Sequence, residues 1–510
     1  MKYVLGIDIG TSGTKTVLFD LAGNVMASAT GEYPMYQPHN GWAEQDPEDW
    51  WKAVCSTIKE VLKKSGADPK EIGGVGLSGQ MHGLVMLDKD NKVIRNAILW
   101  CDQRTAAQCE EISEIIGRKK LIDITANPAL TGFTASKILW VRENEPENYE
   151  KCRKILLPKD YIRFMLTGEY ATEVSDASGM QLLDIPNRCW SDEVLTKLQI
   201  DKSMLGKMYE SPEVTGKVHR QAAEATGLAE GTIVVGGAGD NAAAAVGTGV
   251  VKDKLAFATI GTSGVVYAHS SKVRIDPKGR VHSFCSAVPG EWLTMGVTLG
   301  AGLSLKWFRD NFCHAEIEQA KREGKNVYYL TDMEAAKIKP GCDRLLYLPY
   351  IMGERTPHLD PDCRGVFFGL SAMHTRAHLI RAVLEGVSHS LLDCVMILRE
   401  MGIEINQMMA CGGGGSSPLW REMLSDMFGC EVMTVAQKEG PALGVALLAG
   451  VGAGAYSSVQ EACEAVIKTD KVQKPDAKRT ELYLKYHVLY NQLYKSLQND
   501  FKTLANIEEA

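Results

Sequence analysis

Apolar and polar positions alternate in short runs at the start of the chain. Tyr3–Ile9 is an apolar run broken at Asp8, Thr14–Asp20 alternates, and Gly10-Thr11-Ser12-Gly13 and Ala22-Gly23-Asn24 interrupt these runs as turns. The pattern predicts three strands joined by tight connections. The period then changes. From Asp46, with Pro47 at the first helical position and Glu48 and Asp49 in the first turn, Trp50, Val54, Ile58 and Val61 recur at helical spacing. That predicts a helix with one buried face. Short apolar strands are expected at Ile72–Ser78 and Ile155–Leu157, and helices around Cys101–Ile116 and Ala135–Glu143. This succession argues for a mixed α/β sheet flanked by helices.

The second half begins as the first does. Leu255–Ile260 is apolar, Gly261-Thr262-Ser263-Gly264 is a turn, and Val265–Ala268 is a return strand. The Gly-Thr-Ser-Gly quartet thus occurs twice in a strand–turn–strand setting, 251 residues apart in a chain of 510. Self-similarity at this scale predicts two related α/β lobes, residues 1–246 and 247–510. Further on, a helix is expected at Gly302–Phe312 and a long one at Arg376–Met401, striped by Leu379, Val383, Val387, Leu391 and Val395. A strand near Met408–Ala410 runs into Cys411-Gly412-Gly413-Gly414-Gly415, and a helix starts near Pro418. The charged tail beyond Lys468 is expected to be a closing helix.

Composition narrows the possibilities. With 45% hydrophobic and 23% charged residues the chain has an ordinary globular balance. Its net charge of −7 leaves no basic surplus for nucleic acid. The thirteen cysteines are scattered and form no Cys-x-x-Cys pair, as reduced core cysteines do. No apolar run is long enough for a membrane span, and Asp8 interrupts the first one before a signal-peptide core could form. A cytoplasmic protein is the expectation.

Candidate chemistry gathers at the glycine-rich turns. Two Gly/Thr/Ser hairpins facing each other would clamp phosphates, since glycine admits the anion and amides and hydroxyls donate to it; Lys15 adds a point charge. Two ordinary hairpin turns would read the same. Asp8 interrupts a strand and needs a cation, a metal or hydrogen bonds; holding Mg²⁺ beside a phosphate turn would answer that, as would capping the turn. Val-Val-Gly-Gly-Ala-Gly-Asp-Asn at residues 234–241 presents Asp240 ahead of the small-residue run Ala242–Ala245, which would let a substrate come close to an acid that accepts a hydroxyl proton. The same Gly-Asp-Asn is also good turn chemistry. Gly79-Gln80-Met81-His82-Gly83 offers a hydrogen-bonding pair to a small polar ligand, or a satisfied core histidine. The glycine run at 411–415 either caps a helix or lets a nucleotide lie against it.

Taken in order, Asp8-Ile9-Gly10-Thr11-Ser12-Gly13-Thr14-Lys15, the Gly-Gln-Met-His-Gly stretch, Gly239-Asp240-Asn241, Ile260-Gly261-Thr262-Ser263-Gly264 and Gly412–Gly415 resemble the FGGY family of carbohydrate kinases. Residues 132–144, Gly353-Glu354-Arg355-Thr356-Pro357 and Gly365-Val366-Phe367-Phe368-Gly369 resemble family signatures as well, so the likeness spans essentially the whole chain. It implies two actin-like (ribonuclease H-like) lobes with a cleft between them, closing over ATP and a sugar. By resemblance Asp240 is the general base, and Asp8 with Asp240 positions Mg²⁺. Thr11, Ser12, Gly13 and Lys15 would hold phosphates from the first lobe, and Gly261 and Thr262 from the second. Gly302 and Lys306 would lie on a helix lining the nucleotide site, with Gly412, Gly413 and Ser417 bordering the adenosine. Met81, His82, Asp240 and Asn241 would meet the sugar. Gln80-Met81-His82, Leu157-Pro158-Lys159-Asp160-Tyr161 and Trp42-x-Glu44-Gln45-Asp46-Pro47 are similar to the branch acting on D-xylulose at its 5-hydroxyl, whereas glycerol kinases carry Gln-Arg-Glu at the first of these. Another ketopentose or polyol such as ribulose, or an actin-like ATPase without a sugar, is the alternative. Two lobes leave surface for a homodimer, which is common in the family, although no motif specifies an interface.

Overall fold

A computed structural model describes residues 1–437 and 439–507. Two seven-stranded sheets organise it. In the first, Val214–Lys217, Ile233–Val235, Ile72–Gly79, Tyr3–Ile9, Gly13–Asp20 and Val25–Glu32 lie in that spatial order, and Ala238–Gly239 also pairs with Ile72–Gly79. In the second the order is His282–Cys285, Trp292–Thr298, Gly264–Ser270, Lys254–Ile260, Ile405–Cys411, Glu431–Val435 and Thr469–Gln473. Both are built alike. Tyr3–Ile9 runs antiparallel to the strand that follows it and parallel to Ile72–Gly79; Lys254–Ile260 does the same with Gly264–Ser270 and Ile405–Cys411. The repeated quartet therefore marks a repeated topology.

The first helix runs Pro47–Ser65, with the Asp46 carboxylate accepting from the Glu48 amide as its cap. Trp50, Val54, Ile58 and Val61 are fully buried on its inner face, each worth roughly 1.5–3 kcal/mol relative to exposure. Trp51 is only half-buried. The helix expected from Cys101 begins instead at Ala106. Asp102 diverts the preceding loop, because its buried carboxylate accepts from the Ala43 amide at 2.7 Å and pairs with Arg104 at 2.7 Å. The tail also departs from expectation: Thr469–Gln473 is an edge strand on Glu431–Val435, and the helix comes after it, at Ala477–Ala505. None of the thirteen cysteines is in a disulfide. Among the described residues no helix is long and apolar enough to cross a membrane.

The halves are joined through two short-residue helices, Asp240–Gly247 and Gly440–Gly452. They meet backbone to backbone. A Cβ on Gly247 would overlap the Gly440 carbonyl, and one on Gly444 would overlap that of Ala243. The second helix also lies on the first sheet, where a Cβ on Gly6 or Gly76 would overlap the carbonyls of Ala442 or Val445. Ala242, Ala243 and Ala245 are buried in this seam. The small-residue run after Asp240 thus serves helix–helix contact rather than the approach of substrate, which corrects the sequence expectation.

Alanine at Gly444 would gain helix propensity, so its sign is diagnostic. We expect Gly444→Ala to lose roughly 1–3 kcal/mol by overpacking. Gly440→Ala, where a Cβ meets nothing within 4 Å, is expected to be neutral or stabilising. Urea denaturation of the two variants checks this.

Candidate active site

Functional side chains collect at the carboxyl ends of parallel strands, the usual ligand edge of such sheets. Asp8 ends Tyr3–Ile9, Gln80-Met81-His82 follows Ile72–Gly79, and Asp240 follows Ala238–Gly239. Ser78 sits in register between Asp8 on one side and Ala238 on the other. Its hydroxyl donates to Asp8 Oδ1 at 2.7 Å. Burial raises the Asp8 carboxyl above its ordinary range, against the Ser78 hydrogen bond and the Lys15 charge.

Asp240 opens its helix, and its Oδ1 accepts from the Asn241 amide at 2.7 Å and side-chain amide at 3.0 Å. Burial, with the negative charge of Asp8 second, pushes it up to about 7. A buried ionic cluster underlies it. Lys159 Nζ lies 3.0 Å from Asp160, 3.3 Å from Glu173 and 3.4 Å from Asp176, and Arg163 reaches the Gly236 carbonyl at 3.0 Å. The Gly239 amide donates to Ser175 Oγ at 3.1 Å. The strand end presenting Asp240 is thereby fixed from beneath.

Met81 is buried and packs over Gly239, where even a Cβ would come within 2.9 Å of its side chain. His82 adopts a left-handed backbone, φ 69°. Its carbonyl accepts from Thr134 Oγ1 at 3.0 Å and Lys137 Nζ at 2.9 Å, and its Nδ1 faces the Gly179 carbonyl at 3.0 Å. Burial and then the Lys137 charge hold the imidazole well below its usual range, so it stays neutral. Lys137 is itself lowered by burial to about 7. Phe133 and Phe284 flank the His82 ring at 4.9 and 6.2 Å, bringing both halves of the chain to it.

The first hairpin is closed by Gly10 N–H to the Gly13 carbonyl at 3.0 Å. Thr11 takes the indole N–H of Trp100 on its hydroxyl at 3.0 Å and the Gln45 amide on its carbonyl at 2.7 Å. Ser12 is exposed and Gly13 half-buried. Lys15, in register with Asp8, is ion-paired with Glu439 from the other half. Opposite, Gly261 and Thr262 offer their carbonyls to the amides of Gly302 and Leu303 at 2.8 and 3.1 Å. These four residues line a cavity of about 550 Å³ together with Lys306, Gly413 and Ser417. Ser417 caps the Pro418–Phe428 helix through the Trp420 amide at 3.1 Å. Gly412 is not among the lining residues; at φ 73° it lies against the Ile260 backbone and turns the chain. The opposite wall, Asn326, Tyr328 and Asp332, carries no sequence motif and was not anticipated. Thr11, Ser12, Gly13 and Lys15 lie outside this cavity.

The described residues include no cluster of three or more His, Cys, Asp or Glu able to hold a metal. Asp8 and Asp240 make their side-chain hydrogen bonds through Oδ1 alone, leaving one oxygen each. That donor set suits Mg²⁺ arriving with a nucleotide, because the ion keeps waters and needs only one or two carboxylates.

Residues 3–247 match the N-terminal domain of the FGGY family of carbohydrate kinases, and residues 256–453 match its C-terminal domain. The chain belongs to this family. It is 40% identical to the xylulose kinase of Bacillus subtilis (strain 168) over 97% of both chains. It is 38% identical to that of Escherichia coli (strain K12), over 97% of this chain and 99% of the other. The structure of xylulose kinase from Rhodospirillum rubrum superimposes with a TM-score of 0.91 at 28% identity, covering 98% of this chain and all of that one. Membership gives the fold its name, two actin-like lobes, and makes the protein a kinase acting on an alcohol group with ATP as phosphate donor.

A carboxyl raised in the folded state binds more protons there than in the unfolded chain. Folding stability should therefore fall as pH rises from the unfolded value near 4 through about 7. Asp240→Asn removes that penalty. We expect the variant to gain at least roughly 1 kcal/mol over wild type at pH 8, with the difference vanishing near pH 4; thermal melts across pH measure it.

Proposed function

We propose that the protein transfers the γ-phosphate of ATP to the 5-hydroxyl of D-xylulose, giving D-xylulose 5-phosphate and ADP. The observation that carries this reading is Asp240: a rigidly presented carboxyl, pushed up to about 7, with one oxygen free of side-chain hydrogen bonds, next in the chain to Gly239, on which Met81 packs. Asp240 takes the proton from the attacking hydroxyl, for which a base poised near the working pH is suited. Asn241 orients it, and Met81 and neutral His82 shape the sugar site. The full-length likeness to xylulose kinases supports this choice of sugar.

Residues 1–246 then form the sugar lobe and 247–510 the nucleotide lobe. Gly302, Lys306, Gly413 and Ser417 border the nucleotide, while Gly412 contributes only the turn. Gly261 and Thr262 face the phosphates from the second half and Thr11, Ser12 and Gly13 from the first. Lys15 joins them by exchanging Glu439 for phosphate oxygens. Mg²⁺ held by Asp8 and Asp240 would neutralise phosphate charge. Phosphoryl transfer asks little covalent chemistry of the protein, so positioning and electrostatics account for the rate.

Coupled ADP release with Mg²⁺-ATP, without sugar and then with D-xylulose, tests the reading. Sugar-dependent steady turnover is expected, with D-xylulose leading a panel of ketopentoses and polyols in kcat/KM. Asp240→Asn should lower turnover by roughly 100-fold or more while the protein stays folded. Near-normal turnover in that variant would remove Asp240 as the base, and ADP release indifferent to every sugar would point to an ATPase.

A further inference from the structure

The stretch Gly353-Glu354-Arg355-Thr356-Pro357 has no part in the reaction as described, yet it is held firmly. Glu354 is buried. Its Oε2 accepts from Thr298 Oγ1 at 2.7 Å and Ser390 Oγ at 3.2 Å, and its Oε1 from the amides of Leu299 at 2.9 Å and Arg355 at 2.7 Å. The Thr356 amide donates to the Val297 carbonyl at 2.9 Å. The Thr356 hydroxyl donates to the Arg280 carbonyl at 2.9 Å and accepts from the Val297 amide at 3.1 Å. Both neighbours of Arg355 are thus fastened to the end of Trp292–Thr298, the strand that leads into the nucleotide-site helix.

Arg355 itself is left over. It is half-buried, and among the described residues its guanidinium has no carboxylate within ion-pair distance and no hydrogen-bond acceptor. Of the buried arginines, Arg163 and Arg381 have carboxylate partners at 2.5 and 2.7 Å, and Arg421 has the Gly415 carbonyl at 2.8 Å. A half-buried guanidinium without an ion-pair partner on a firmly held segment has its donors open to a ligand. Its surroundings say where. His282, two residues beyond the Arg280 carbonyl that Thr356 grips, stacks on Phe284 at 5.7 Å. Phe133 bridges His282 and His82, at 5.7 and 4.9 Å. The Arg355 charge helps depress both His82 and His282. The contacts from Thr356 to Arg280, from His282 to Phe133 and from Phe133 to His82 place the Arg355 segment at the His82 end of the sugar site.

Building on the D-xylulose reading, we propose that Arg355 is a substrate-binding residue supplied by the second half of the chain, gripping the end of the ketose remote from the phosphorylated hydroxyl. With the 5-hydroxyl at Asp240, that end carries the C2 carbonyl and the 1-hydroxyl. Two adjacent oxygens match the planar fork of guanidinium donors, which a lysine ammonium does not reproduce. The sugar is then held from both lobes at once.

The test is steady-state kinetics of wild type, Arg355→Met and Arg355→Lys with D-xylulose and with its analogue lacking the 1-hydroxyl. Arg355→Met should raise KM for D-xylulose by roughly 10- to 100-fold, the worth of charge-assisted hydrogen bonds, with KM for ATP unchanged. Arg355→Lys should move the same way to a lesser degree, and serves as the variant should Arg355→Met not fold. Loss of the 1-hydroxyl should penalise wild type and leave Arg355→Met nearly indifferent. An unchanged KM for D-xylulose, a rise confined to ATP, or the same 1-hydroxyl penalty in both enzymes would overturn the proposal. A wild-type enzyme that ignores D-xylulose would instead defeat the substrate reading, before any variant is assayed.

Discussion

Everything in this molecule is arranged around the contact of two helices that have almost no side chains between them. Asp240–Gly247 and Gly440–Gly452 touch through glycine and alanine, and the second also rests on Gly6 and Gly76 of the first sheet. Close packing of this kind tolerates little change in volume. It determines where Asp240 emerges, because that residue is the first of its helix. It also brings Glu439, the residue before the other helix, within reach of Lys15. The position of Asp240 and the pairing of Lys15 with Glu439 are both consequences of one seam.

Much of this was legible in the sequence wherever local chemistry decides structure. The doubled Gly-Thr-Ser-Gly hairpin announced a doubled topology, since turn residues and strand alternation act over a few positions. Asp8 drew notice because it breaks an apolar run, and Asp240 and Met81-His82 because glycines present them at strand ends, where the structure places all of them. The second hairpin and the Gly302, Lys306, Gly413 and Ser417 positions fall on one cavity.

What was not legible depends on tertiary approach. Thr469–Gln473 is exposed along nearly its whole length, so an edge strand there shows no apolar alternation and reads as helix or loop. The wall of Asn326, Tyr328 and Asp332 comes from a helix whose residues become a surface only when the chain returns to it. Lys137 and Lys159 look like surface lysines in a periodic pattern, yet both are fully buried and support His82 and Asp240. The alanine run after Asp240 was readable as composition but not as purpose: small residues admit a ligand and a neighbouring helix equally well, and the helix took the place.

The bare seam also limits how the lobes can move. Sliding one helix along the other by a residue would carry a Cβ into a carbonyl oxygen, so translation is blocked by hard contact. Rotation is opposed too, because the second helix also sets its Ala442 and Val445 carbonyls against Gly6 and Gly76 of the first sheet. The joint is therefore stiff in both senses, and Asp240, the first residue of one of its helices, keeps its place while any relative movement of the halves is taken up outside the seam.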